Sequence, residues 1–480
     1  MAEKANENGA AITFFAKASA FLKGLSLMQP LQVCLLGSSF AMKRFGYGPK
    51  EVSPFVGLCS NSMELFYLIS ALGTFVVSSW MKNKNGNRSF PAKGCLVSSW
   101  LIVLANIMLL RSYSHGEGNE NITMYYWMLV IANFIAGIDD MFMFDVASDK
   151  IASYDLGASF TGLVVVAFHW CTMTALEKRN MDVNYWLIVC QLYGVLGLSA
   201  LAAAMWTGYT YAGGLLDKGS GGETQQTTET SGANSDNSTF FEAYWAALPM
   251  CAASTIGYGF IYVVYPLISP FEMVKFEHQY PIQRACLIFH ALSGITVWLM
   301  DQFGGLSKKW EGENAKYHYI WYLGIPFLGI GCMFIWIMHN PNSGLAGLIR
   351  MRPAVVGFLT VVYYYSGRMA IISACVGIDG NARKSNGTHS SNSNGHSKHG
   401  STISAMNLGI NLLALSLSKY VSEAYIQQFR DAREAFEAGV PWPTDGMSTS
   451  SAFGYWLKTG IKEGYRNITE VMVKDVRTRL

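Results

Sequence analysis

Charge is scarce in this chain. Asp, Glu, Lys and Arg make up 14% of its 480 residues, against roughly 25% in an average soluble domain. The few charges nearly cancel: 35 basic residues face 32 acidic ones, a net charge of +3. That balance excludes a basic nucleic-acid binder and an acidic disordered tail protein. Paired cysteine motifs are missing too. The nine cysteines are scattered through apolar stretches with no C-x-x-C among them, so neither a disulfide framework nor a zinc site is expected. No H-E-x-x-H, G-x-S-x-G, Walker or Rossmann constellation occurs in context, so an enzyme, a metal and an organic cofactor are all unexpected. Residues 1–9 are polar, with Glu3 and Glu7 against Lys4, which does not read as a cleaved signal.

What is abundant is apolar sequence. Hydrophobic residues are 51% of the chain and mean hydropathy is +0.22. A run of about 18 or more residues nearly free of charge reads as a membrane-spanning helix. Eleven such runs are present: 25–42, 65–80, 94–110, 123–138, 156–176, 183–216, 243–271, 285–300, 317–348, 353–378 and 400–418. They are far longer than the roughly 10-residue alternating segments of a barrel. The expected fold is therefore an all-α polytopic membrane protein of about 11 transmembrane helices in the bilayer. Trp80, Trp100, Tyr125, Tyr126, Trp127, Tyr185, Trp186, Trp206, Tyr209, Tyr319, Trp321 and Trp336 fall near the span ends and read as interfacial belts.

A polar loop divides the spans into six and five. The expected organisation is a six-helix bundle over 1–212, a flexible polar loop over 213–242, and a five-helix bundle over 243–425 that contains a second polar loop at 380–402. The tail, 426–480, holds a possible amphipathic helix, with Trp456, Leu457, Ile461 and Tyr465 interleaved with Lys458, Lys462 and Arg466. It can lie on the membrane surface or pack on the bundle. Two bundles in a major-facilitator-like 6+5 arrangement suit a carrier with its site between the halves. Loop charges slightly favour an N-terminus inside.

Ionisable side chains within spans are costly and face a cavity or a partner. Asp140 and Asp145, at the end of the fourth span, and Arg368, near the middle of the tenth, are the candidates. Arg368 is expected to pair with Asp140 or Asp145, because a lone guanidinium in lipid is very unfavourable. Asp139 and Asp140 point about 100° apart on a helix, so they cannot serve one site equally. Asp301 follows the eighth span. Pro30 breaks the first span and frees a backbone carbonyl beside Gln32. These six residues, Pro30, Gln32, Asp140, Asp145, Asp301 and Arg368, form the expected substrate-binding or permeation path.

The pattern resembles the equilibrative nucleoside transporter family, which has 11 spans in a 6+5 layout with a long loop after the sixth. Pro30-Leu31-Gln32 is similar to its Pro-Trp-Asn motif, and Tyr265-Pro266-Leu267 to its Phe-Pro-Ala type sequence. Asp301-Gln302-Phe303-Gly304-Gly305 keeps the Asp and first Gly of its Asp-x-x-Gly-Arg, with Gly305 in place of the Arg. Tyr365-Ser366-Gly367-Arg368-Met369, Asn133–Gly137 and Ser159–Gly162 resemble other family segments. The resemblance implies a plasma-membrane carrier of nucleosides or nucleobases that works by alternating access, facilitative or proton-coupled. Its partners would be that small solute and the lipid bilayer, with no nucleic acid. The alternatives are a carrier of another small polar solute on a similar scaffold, or a non-transporting multi-span surface or interaction protein.

Overall fold

The structure is a computed structural model and describes residues 2–48, 51–85, 89–115, 121–212, 239–382, 399–470 and 477. Fourteen α-helices run along these residues. Before residue 213 come α1 (Ala2–Leu27), α2 (Gln29–Arg44), α3 (Val52–Asn85), α4 (Phe90–Ser114), α5 (Ile122–Val146), α6 (Ile151–Lys178) and α7 (Val183–Ala212). After residue 238 come α8 (Phe240–Val264), α9 (Phe276–Gly304), α10 (Gly324–His339), α11 (Gly344–Arg350), α12 (Pro353–Asn381), α13 (Gly400–Glu437) and α14 (Thr449–Glu470). Among the described residues, ten helices are long and apolar enough to cross a membrane, or eleven when the bent pair α1–α2 counts as one span. The protein is thus an all-helical polytopic membrane protein, and backbone polar groups are satisfied inside each helix as lipid demands.

The first span differs from its sequence reading. It runs Ile12–Cys34 and Leu36–Arg44 with a 48° bend, so Lys23 lies inside it rather than at its border. Pro30 stands in the first turn of α2, after a turn at Met28, where its missing N–H costs nothing. The eleventh span is also longer than 400–418: α13 continues to Glu437. Helix α12 reaches Asn381 and α13 starts at Gly400, so helix covers both edges of the expected 380–402 loop. Most of the expected 213–242 loop lies outside the described residues, and its last residues open α8 through a capping box between Thr239 and Glu242. Several aromatics expected at the lipid interface are core residues instead: Tyr125, Tyr126 and Trp206 are fully buried, whereas Trp80, Trp100 and Trp336 are exposed. The tail helix α14 packs on α13, with Trp456 buried against Tyr425, Phe429 and Trp442.

The packing distinguishes the two ends of the bundle. At the end holding the start of α1, one continuous core joins Ala16, Met141 and Trp206 to Ala247, Trp310, Ile378 and Leu408. At the other end there are two separate cores. One is built by α2 to α7 around Met42, Phe55 and Tyr125. The other is built by α8 to α14 around Ile268, Phe334 and Phe429. The halves touch along two seams, α3 and α5 with α13, and α6 with α9 and α12. Within the first half, α1 and α6 approach through small residues, as membrane helices do when packing rather than water drives association. A Cβ on Gly157 would sit 1.9 Å from the Phe21 carbonyl oxygen, and one on Gly24 would sit 2.0 Å from that of Tyr154.

That contact yields the first prediction. Gly157→Val forces α1 from α6 and is expected to cost at least about 1–3 kcal/mol, read as a lower unfolding temperature and a loss of monodisperse protein in detergent. Gly197→Val is the control, because nothing lies within 4 Å of the added carbon. Equal stability of the two variants would contradict the close α1–α6 contact.

Candidate functional site

The charges inside the bundle include closed pairs. Lys23 and Asp139 form a closed pair. Lys23 Nζ lies 2.7 Å from Asp139 Oδ1 and donates to Ser99 Oγ at 2.6 Å, with Cys95 Sγ at 3.3 Å. Ser98 donates to the same carboxylate oxygen at 2.6 Å. The ammonium also sits 5.0 Å from the Trp206 ring centre. Both residues are only 2% exposed. Such a pair is tolerable in the interior because hydroxyls satisfy what the two charges do not give each other. A second closed pair joins the halves: Lys419 of α13 meets Glu64 of α3 at 2.7 Å and Ser60 Oγ at 2.7 Å. Beside it Asn61 donates to Glu423 at 2.8 Å.

The neighbouring carboxylates are also engaged. Asp139 and Asp140 do point to different partners. Asp140 is 5% exposed and accepts hydrogen bonds from the hydroxyls of Tyr67 and Tyr154, one on each oxygen. Asp145 accepts from Ser78 at 2.7 Å. Neither is an ion-pair partner of Arg368, so the expected Arg368 pair with Asp140 or Asp145 is corrected. Tyrosine hydroxyls saturate the one carboxylate, and the other lies further along α5 at the end with the shared core.

Arg368 itself faces a different group. It is 6% exposed, and its Nε is buried with no hydrogen-bond partner. The ionisable groups that feel its charge are Tyr258 and Tyr262 of α8, Tyr364 of α12, His290 of α9 and Asp155 of α6. Asp155 belongs to the opposite half. It is half-buried, and no hydrogen bond or ion pair to its carboxylate occurs among the described residues. Helices α6 and α12 are in contact, and among the described residues Asp155 and Arg368 form no ion pair with each other. Aromatic groups gather around Tyr364: His290 Nδ1 is 2.7 Å from the Tyr364 hydroxyl, and the Tyr265 and Tyr364 rings lie 4.6 Å apart.

The remaining sequence candidates fall around or away from the centre. Gln32 lies beside Gly162 of α6, its Oε1 3.8 Å from where a Cβ on that glycine would stand, with Leu287 of α9 close by. Pro30 is buried two residues before it. Asp301 is placed elsewhere: its carboxylate accepts from the Ser307 backbone N–H at 2.9 Å and closes the turn after α9. Sequence reading missed Lys23, Asp155 and Tyr258. Charge-free windows put Lys23 and Asp155 at span borders, although apolar residues flank Lys23 on both sides.

The closed pair makes a separate prediction. Lys23→Met leaves the Asp139 carboxylate buried without its cation, which typically costs about 3–5 kcal/mol. Lys23→Met combined with Asp139→Leu is expected to regain most of that loss in thermal unfolding. A single variant as stable as the parent would show that the pair carries no stability.

The chain matches no protein-family model and no curated protein. Solved transporter structures match it at low identity, and one of them shares its fold. The proton:xylose symporter XylE of the major facilitator superfamily, bound to 6-bromo-6-deoxy-D-glucose, superposes with a TM-score of 0.50 at 14% identity, over 98% of this chain and 99% of that one. A bacterial homologue of the iron transporter ferroportin, in its outward-facing state, gives 0.48 at 10% identity over 95% and 98%. A bacterial homologue of the drug peptide transporters PepT1 and PepT2 gives 0.34 at 11% identity over 97% and 100%. The arrangement of helices is similar to that of XylE.

Proposed function

We propose that this protein is a carrier that moves a small polar solute across a membrane by alternating access, without enzymatic chemistry. The two units, 1–212 and 243–425, rock about the α3–α13 and α6–α9 seams. The solute sits beside Arg368, between the units. The observation that carries this reading is Arg368, a buried guanidinium with an unpartnered Nε inside a span. A membrane protein with no ligand gains nothing from a buried cation left short of partners, and such groups mark solute and ion pathways. The split cores at one end and the shared core at the other support it, since the halves share apolar packing at one end and are linked by polar contacts at the other. The major-facilitator fold supports it as well.

The resemblance to equilibrative nucleoside transporters makes nucleosides or nucleobases the solute read from sequence, and the plasma membrane the site of action. The tyrosine faces around Arg368 and the amide of Gln32 favour a flat, hydrogen-bonding molecule.

Purified protein in proteoliposomes is expected to give saturable uptake of one solute class, accelerated by the same unlabelled solute inside. Tyr258→Leu, which strips a hydroxyl from the centre, is expected to lower that uptake about tenfold, comparable to the loss of a hydrogen bond to a charged group. Linear, unsaturable uptake across purines, pyrimidines, sugars and amino acids would sink the carrier reading.

A further inference from the structure

We propose that α14 binds the surface of the bilayer the protein spans, with its lysines on anionic phospholipid headgroups and an apolar row in the edge of the acyl chains. This inference stands apart from the carrier reading. It starts from three rows of side chains on one helix. The first row is spent on α13. Trp456 is buried against Tyr425 and Phe429, and glycines follow at one-turn intervals. A Cβ on Gly460 would stand 3.2 Å from the Val421 carbonyl oxygen, and one on Gly464 would stand 3.1 Å from that of Tyr420. The second row is apolar and uncovered: Phe453, Leu457, Ile461 and Tyr465 are 67%, 44%, 51% and 71% exposed. The third row, Lys458, Lys462 and Arg466, is exposed and starts about 200° around the helix from Trp456, away from α13.

Position says what covers the second row. Helix α13 has 38 residues, about 57 Å, nearly twice the roughly 30 Å hydrocarbon core. Its charge-free run ends at Ser418. Its exposed apolar side chains Ile410, Leu413 and Leu417 stop one turn before Val421, where α14 docks. The tail helix therefore stands where the acyl chains give way to headgroups, and its apolar row continues the lipid-facing row of α13. Charge says which headgroups. Arg466 is taken by Glu463 at 3.0 Å, but no acidic residue stands three or four positions from Lys458 or Lys462. These two ammonium groups are one turn apart, a spacing at which like charges repel, and a phosphate between them relieves that repulsion. One apolar row beside one basic row is the pattern of helices that settle in the membrane interface, and anionic lipid is what basic residues at that level select.

The test uses the full chain in nanodiscs of phosphatidylcholine alone or of phosphatidylcholine with phosphatidylserine, and reads amide hydrogen exchange across 449–470. Exchange there is expected to be about twenty-fivefold slower in the anionic discs, about fivefold for each lysine at a negatively charged surface. High salt is expected to erase the difference. Lys458→Gln with Lys462→Gln returns exchange in the anionic discs to the neutral rate and leaves α1 to α12 unchanged. Lys458→Arg with Lys462→Arg keeps the slow exchange, which separates loss of charge from loss of the helix. Phe453→Ser with Ile461→Ser speeds exchange in both kinds of disc. Lys178→Gln, at an exposed site on α6, changes nothing across 449–470. Equal exchange of the parent in the two bilayers would overturn the proposal, and so would slow exchange that survives the double glutamine variant. Protection that follows the number of protein copies per disc rather than lipid charge would assign the apolar row to a second copy and overturn it as well. No transported solute is needed, so failure here leaves the carrier reading untouched.

Discussion

A charge in the middle of a bilayer needs a partner, and most of this structure can be read as the placement of partners. Lipid offers neither water nor counter-ions, so each ionised side chain must be met by an opposite charge, by hydroxyls or by a wet space. Lys23 and Asp139 meet inside one half with two serines of α4 around them. Lys419 and Glu64 meet across the halves. Asp140 is met by two tyrosines. Once those are accounted for, Arg368 remains as a buried guanidinium with an unpartnered Nε, and Asp155 has no ion pair or hydrogen bond among the described residues. The first group of contacts fixes where helices sit.

The same economy explains the asymmetry of the core. Apolar packing is continuous at the end where α12 buries every residue from 371 to 382. At the far end the two cores are separate, and the halves are joined there by the polar contacts of Lys419, Tyr420 and Glu423 with α3. Polar links between two preformed cores can be exchanged for other polar links. A shared apolar core resists parting, because its side chains interdigitate at near-crystalline density. The α6–α9 seam is built for close sliding contact, with Gly294 against Ser159 and Gly162 against Leu287.

Much of this was legible in the sequence, and the failures share one cause. The number of spans and the all-helical class follow from long charge-free runs, which no soluble fold requires. Using charge to end a span, however, guarantees that charges inside spans are misplaced. Lys23 and Asp155 were treated as borders for that reason, and Lys419 was taken as the end of the last span although α13 carries on for another 18 residues to Glu437. Arg368 escaped this error because apolar sequence runs long on both sides of it. Pairing was not legible at all: which carboxylate faces Arg368 depends on helix rotation and crossing, and the tyrosines that occupy Asp140 lie on α3 and α6. Trp206 reads as interfacial by position but is buried in the core it shares with Ala16 and Ala20, with Lys23 beside its ring, a tertiary fact.

The motif after α9 shows how a local demand can outweigh a sequence pattern. The resemblance sets Gly305 where the family has arginine. Gly305 ends α9 in the left-handed region, with φ of +71°, which glycine enters freely and an L side chain does not. Asp301, four residues earlier, receives the Gly305 N–H on its carbonyl and the Ser307 N–H on its carboxylate. Together they make a compact helix stop, so an arginine at 305 would strain the turn that Asp301 closes. Arg368 and Asp155 stand on two other helices, α12 and α6, so neither side chain is tied to this turn.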